Sequence, residues 1–196
     1  MTTKQTDRKL IEQFGTDGEE IFDQIEIELK NMVQEMADVA YKGQNALNAK
    51  TKWTQMAVDF ANDCTNIMQQ MSQVVTEQTT FTATALGGDA INLEPPTVAV
   101  ELPTISADTS IEMAESGPLT DLRASISASC DQVELGFRNN LDNLTALGAE
   151  GWVGPEYDET HGQVSGLTES ISGTVAESKT TMTEDITNQL QVLGLE

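Results

Sequence analysis

Apolar residues recur along this chain in steps of three and four, in four separate stretches. In the first, Phe22, Ile25, Leu29, Met32, Met36 and Val39 form an unbroken heptad seam, widened by Ile21, Val33 and Ala40. In the second, Trp53, Ala57, Phe60, Cys64, Ile67, Met71, Val74, Gln78 and Phe81 alternate fours and threes with one polar member. The third reads Leu119, Leu122, Ile126, Cys130, Val133, Phe137, Leu141 and Leu144, mixing heptad and hendecad steps. The fourth reads Val164, Leu167, Ile171, Val175, Ser178, Met182, Ile186, Leu190 and Leu193. Each pattern predicts an amphipathic helix. Four such helices predict an all-α protein, a four-helix bundle built from two helical hairpins.

Local signals set the expected boundaries. Thr16 with Glu19 fits a capping box, which puts the start of helix one near Thr16 and leaves residues 1–16, with Leu10, Ile11 and Phe14, as a lead-in turn or a frayed arm. Gly43 is the expected C-cap of helix one. Helix two is expected from Thr51 to Ala85, roughly 50 Å long, with Gly87 and Gly88 ending it. Pro118 suits the first turn of helix three, Gly136 within it suits a close helix approach, and Gly148 is its expected C-cap. Helix four is expected to open at Pro155, with Glu156, Asp158 and Glu159 at the positive end of its dipole.

The chain thus divides into a first hairpin over 1–86 with its turn at 41–43, an acidic linker over 87–117, and a second hairpin over 118–196 with its turn at 151–155. Pro95, Pro96 and Pro103 exclude a helix in the linker. Its composition predicts a flexible tether, while the alternation from Thr97 to Leu102 is also compatible with an extended run along the bundle. Hairpins packed antiparallel would require the linker to travel roughly 40–50 Å, which about 30 residues cover.

Charge narrows the partners. The net charge is −22, and residues 118–196 carry 13 acids against 3 bases. A basic patch for phosphate backbones is not expected there, so nucleic acid is set aside as a partner. No apolar run reaches the length of a membrane span, and no apolar segment follows the basic residues of the N-terminus. The expectation is synthesis in the cytoplasm without a cleavable signal and no membrane insertion. Hydrophobic content of 38% with 5% aromatics suits a helical bundle better than an enzyme.

Catalytic chemistry is sparse. His161 is the one histidine, read as a solvated residue on the second turn of helix four, so the paired Glu-x-x-His motifs of di-iron bundles cannot form. No enzyme activity, cofactor or metal site is expected. Cys64 and Cys130 fall on core stripes, one per hairpin, and read as buried small hydrophobes or as a disulfide between the hairpins. Trp152 either anchors its turn against the bundle end or forms part of a docking surface with Val153 and Pro155.

Trp152-Val153-Gly154 between two long helices, and Tyr41-Lys42-Gly43 at the same place 111 residues earlier, give the chain a family resemblance. It resembles the WXG hairpin family of small type VII secretion substrates, in which two hairpins pair antiparallel as a four-helix bundle. The chain looks like such a pair fused head to tail. The resemblance implies a non-enzymatic interaction protein, exported or acting as a secretion adaptor. Tyr41, Gly43, Trp152, Val153, Gly154 and Pro155 are then the turn residues available for partner docking. Its implied partners are the secretion machinery or a co-exported effector. The family's tail signal, Tyr-x-x-x-Asp/Glu, is not matched: Asn45 follows Tyr41 and His161 follows Tyr157 at that spacing. Export would then draw on a partner's signal. The expected state is a self-contained monomer, with a dimer as the alternative. A structural bundle protein of a phage or injection-type assembly is the alternative function, and a small-ligand-binding helical sensor domain ranks third.

Overall fold

The computed structural model describes residues 3–89 and 100–195. Four helices pack against one another as an all-α four-helix bundle: α1 (Arg8–Asp38), α2 (Gln44–Ala85), α3 (Ser116–Glu150) and α4 (Pro155–Val192). Among the described residues four two-residue strands accompany them: β1 (Gln5–Thr6), β2 (Tyr41–Lys42), β3 (Met113–Ala114) and β4 (Trp152–Val153). Of the linker, residues 90–99, with Pro95, Pro96 and the first half of the Thr97–Leu102 alternation, lie outside the described residues.

The chain folds into two compact units, and each helix gives one segment to each. The first unit holds residues 1–25, 64–98 and 134–172, so it joins the starts of α1 and α4 to the ends of α2 and α3. The second holds residues 26–63, 99–133 and 173–196, which joins the ends of α1 and α4 to the starts of α2 and α3. Each unit therefore contains the turn of one hairpin and the open end of the other, the arrangement of antiparallel hairpins. Within the first unit the core is built from Ile11, Phe22, Ile25, Met71, Phe137, Trp152, Val164 and Ile171. Within the second it is built from Leu29, Met36, Trp53, Leu119, Ile126, Met182 and Ile186.

Helix boundaries differ from the sequence expectations in specific ways. Helix α1 begins at Arg8, not near Thr16, and Asp7 caps it by accepting the Leu10 amide at 3.1 Å. Thr16 lies inside the helix and its hydroxyl donates to the Glu12 carbonyl at 3.2 Å. Burial of Ile11 and Phe14 offsets the cost of carrying the helix through Gly15 and Gly18, about 1 kcal/mol each. Helix α2 starts seven residues earlier than Thr51, at Gln44. Gly43, expected to cap helix one, stands at the entrance of α2 instead, with φ +107° and its carbonyl accepting the Leu47 amide at 3.1 Å. Gly148 does not end α3, which continues to Glu150.

The seams show one drift. The seam from Phe22 to Val39 is buried along its length; of the residues that widen it Val33 is buried, Ile21 is half-buried, and Ala40 lies beyond α1 and is exposed. On α2 the buried line follows the heptad as far as Cys64 and then moves to Met68, Met71, Val75, Thr79 and Thr82. Phe81, expected in the core, is 59% exposed. A straight helix slips by about 20° per heptad against a 3.5-residue repeat, so four heptads carry position 81 off the buried face. On α3 and α4 single positions differ: Asn140 and Thr168 are buried where Leu141 and Leu167 were expected, while Phe137, Leu144, Val164 and Ile171 on either side are buried as the stripes require. Thr168 satisfies its hydroxyl on the Val164 carbonyl at 2.9 Å.

Candidate functional site

Both aromatic turns are clasped by an extended arm from the other hairpin. In the first unit, β1 pairs antiparallel with β4, with Gln5 opposite Val153 and Thr6 opposite Trp152. The Asp7 amide adds a hydrogen bond to the Gly151 carbonyl at 2.6 Å. In the second unit, β2 pairs antiparallel with β3, with Tyr41 opposite Ala114 and Lys42 opposite Met113. The Gly43 amide there donates to the Asp108 carbonyl at 2.9 Å. Each arm leads directly into the first helix of its own hairpin. None of these strands has the alternating apolar pattern that reveals a strand in sequence, which is why none was anticipated.

The aromatic residues of the turns are interior. Trp152 is fully buried, and its indole Nε1 donates to Thr82 Oγ1 at 3.3 Å. Tyr157 meets the indole edge-on with ring centroids 5.7 Å apart, and lies where a Cβ on Gly148 would stand, 2.0 Å from Tyr157 Cζ. The absence of a side chain at Gly148 thus serves this ring. Tyr41 is buried and its hydroxyl accepts from Gln189 Nε2 at 2.7 Å. Burial pushes its phenol upward, against the effect of the Gln189 hydrogen bond. The parts of the second turn that reach solvent are Val153 and Gly154, half-buried, and Pro155, exposed.

The turn glycines allow the arms to lie close. Gly154 has φ +146° and Gly43 φ +107°, conformations that disfavour a side chain. A Cβ at Gly43 would fall 1.8 Å from Glu112 Oε2, and one at Gly154 would fall 3.2 Å from Glu156 Oε2 and 3.5 Å from Lys4 Cγ. Gly136 has a similar role inside the first unit: a Cβ there would meet Ile25 Cγ1 at 2.6 Å, so α1 and α3 approach closely as the sequence suggested.

The remaining candidates resolve individually. His161 is half-buried, with Nε2 2.9 Å from Thr145 Oγ1 and its ring beside Tyr157. Cys64 and Cys130 are buried thiols and form no disulfide, which corrects the inter-hairpin staple. Each fills a place on its own helix stripe as a small apolar side chain. Burial raises the Cys130 thiol to about 12, so it is held as the neutral form. Among the described residues there is no group of three or more side chains suited to holding a metal ion. Nor, among the described residues, is any helix long and apolar enough to cross a membrane. One open groove of about 340 Å³ in the second unit is floored by Val39, Leu122 and Pro118 and edged by Glu35, Asp38 and Asp121.

Comparison with protein-family models, with curated protein sequences and with solved structures gives no match for this chain.

Proposed function

We propose that this protein is a non-catalytic interaction module: a fused pair of WXG-like hairpins that is exported by, or acts as an adaptor to, a type VII-like secretion system. The observation that carries the reading is the reciprocal clasp. Two aromatic-x-Gly turns, 111 residues apart in sequence, each lie in a unit with the open end of the other hairpin and each receive an arm from it. That reciprocity is what two separate hairpins need in order to pair, and one chain here supplies both. The acidic surface, with 32 Asp and Glu against 10 Lys and Arg, favours basic partner surfaces over nucleic acid.

The test is fractionation of the native host with and without the ATPase of its type VII system. The reading expects the protein in the culture medium only when the ATPase is present, or, for an adaptor, co-purification of cell-retained protein with a secretion component. Retention in both strains, with no secretion component co-purifying, overturns it in favour of a structural bundle protein.

A further inference from the structure

The two clasps share a register and differ in charge. In each, the residue just before the arm strand lies over the turn glycine: Lys4 over Gly154 and Glu112 over Gly43. The charge answers the helix that follows. Helix α4 opens with Glu156 and Asp158, and Lys4 Nζ pairs with Glu156. Helix α2 has no acid in its first turn, and Glu112 Oε1 accepts the Gln44 amide at 3.2 Å. The Lys4 pairing, ahead of its own backbone contact, holds the Glu156 carboxyl below the usual carboxylate range. The Glu156 side chain is only 12% exposed, and its Oε2 is buried without a hydrogen bond among the described residues. Beside it, Lys4 Nζ stands 5.9 Å from the centroid of the exposed Phe81 ring.

We propose that the Trp152–Gly154 turn is an acceptor for an extended peptide segment with a lysine or arginine over Gly154. This chain's own residues 3–7 fill it, and a partner's basic extended segment takes their place on binding. The turn offers what strand addition requires: backbone groups for affinity and one side-chain position for selection. The selecting element is the recessed Glu156 carboxylate, which a cation satisfies and an arm of the Glu112 type would repel. The resident arm is suited to displacement. Lys4, Gln5 and Asp7 are exposed, so the arm buries little apolar surface and its opening costs far less than global unfolding. The inference rests on the geometry of this turn, and host fractionation does not bear on it.

The test uses the full chain. Lys4→Glu is expected to speed amide exchange at Asp7 by at least about tenfold, equivalent to about 1.4 kcal/mol, with the α-helical core amides unchanged, while Lys4→Arg exchanges like the wild type. A labelled peptide with the sequence of residues 1–7 is then added to the Lys4→Glu protein, in parallel with the same peptide in which glutamate replaces lysine. The lysine peptide is expected to bind at least about tenfold more tightly, and adding Glu156→Gln is expected to remove the preference. Unchanged exchange at Asp7, failure of the lysine peptide to bind, or equal binding of the two peptides overturns the proposal.

Discussion

The Trp152 indole, fully buried, donates its only hydrogen bond to Thr82 Oγ1 at 3.3 Å, and so ties the turn of the second hairpin to the last helical turn of the first. Thr82 in turn donates to the Gln78 carbonyl at 2.9 Å, so its oxygen both accepts and donates. Trp152→Ala is expected to lower stability by about 3–5 kcal/mol through the cavity it leaves. Thr82→Val leaves the indole N–H without its acceptor and is expected to cost about 1–3 kcal/mol. Urea titrations of both variants check the order, with the tryptophan substitution the more damaging.

Gly148 is occupied space. Gly148→Ala puts a methyl group 2.0 Å from Tyr157 Cζ, so the ring must leave its place against Trp152. Alanine normally stabilises a helix interior by up to about 1 kcal/mol over glycine. Here the substitution is expected to destabilise by about 1–3 kcal/mol instead. Gly162→Ala, on an open stretch of α4 where a Cβ meets nothing within 4 Å, is expected to stabilise. Opposite signs for the two in thermal melts are the outcome to look for.

Cys130 should be inert in the folded protein. With its thiol at about 12 and fully buried, a negligible fraction is thiolate at pH 8. Mass analysis after alkylation at pH 8 is expected to show Cys130 unmodified in native protein and both cysteines modified in denaturant, without any need for reductant. A requirement for reductant would mean a disulfide after all.

Lys50 carries a pH signature. It is buried at 5% exposure, and burial lowers its ammonium from the ordinary value, with Asp38 opposing. The folded state therefore releases this proton at lower pH than the unfolded chain. Between the two values the unfolded state binds more protons, so this group makes stability rise with pH until the unfolded lysine also titrates, at about 10.5. Tyr41 and Tyr157, raised by burial, act oppositely above pH 10, and comparison with Lys50→Met at each pH cancels them. The variant is expected to be more stable at pH 7, with the advantage shrinking as pH approaches 10.5. An advantage independent of pH would show that desolvation of the charge is not its source.

The helices and their pairing into hairpins were legible because burial follows the three-four spacing, as Phe22 to Met36 and Leu119 to Phe137 show. What the spacing could not supply was phase over long distances. Phe81 satisfies the heptad yet lies outside, because a 42-residue helix accumulates the mismatch between 3.5 and its own period. The Thr16–Glu19 capping pattern placed the start of α1 about two turns late, because tertiary burial of Ile11 and Phe14 carries the helix through it from Arg8. The arms were hidden more deeply. Gln5-Thr6 and Met113-Ala114 are too short for a period, and their pairing is set by where the antiparallel hairpins bring them. The turn motifs themselves were visible, and only their partners were not.

The most direct test of the account is a pair of engineered cross-links in full-length protein carrying Cys64→Ala and Cys130→Ala. Gln5→Cys with Val153→Cys, and separately Met113→Cys with Lys42→Cys, join each arm to the turn opposite it. Under mild oxidation both pairs are expected to form intrachain disulfides, because each turn is clasped by the other hairpin's arm. Failure of both, together with an intrachain cross-link between Lys42→Cys and Val153→Cys, would place the two turns side by side and contradict the antiparallel arrangement on which the proposed function rests.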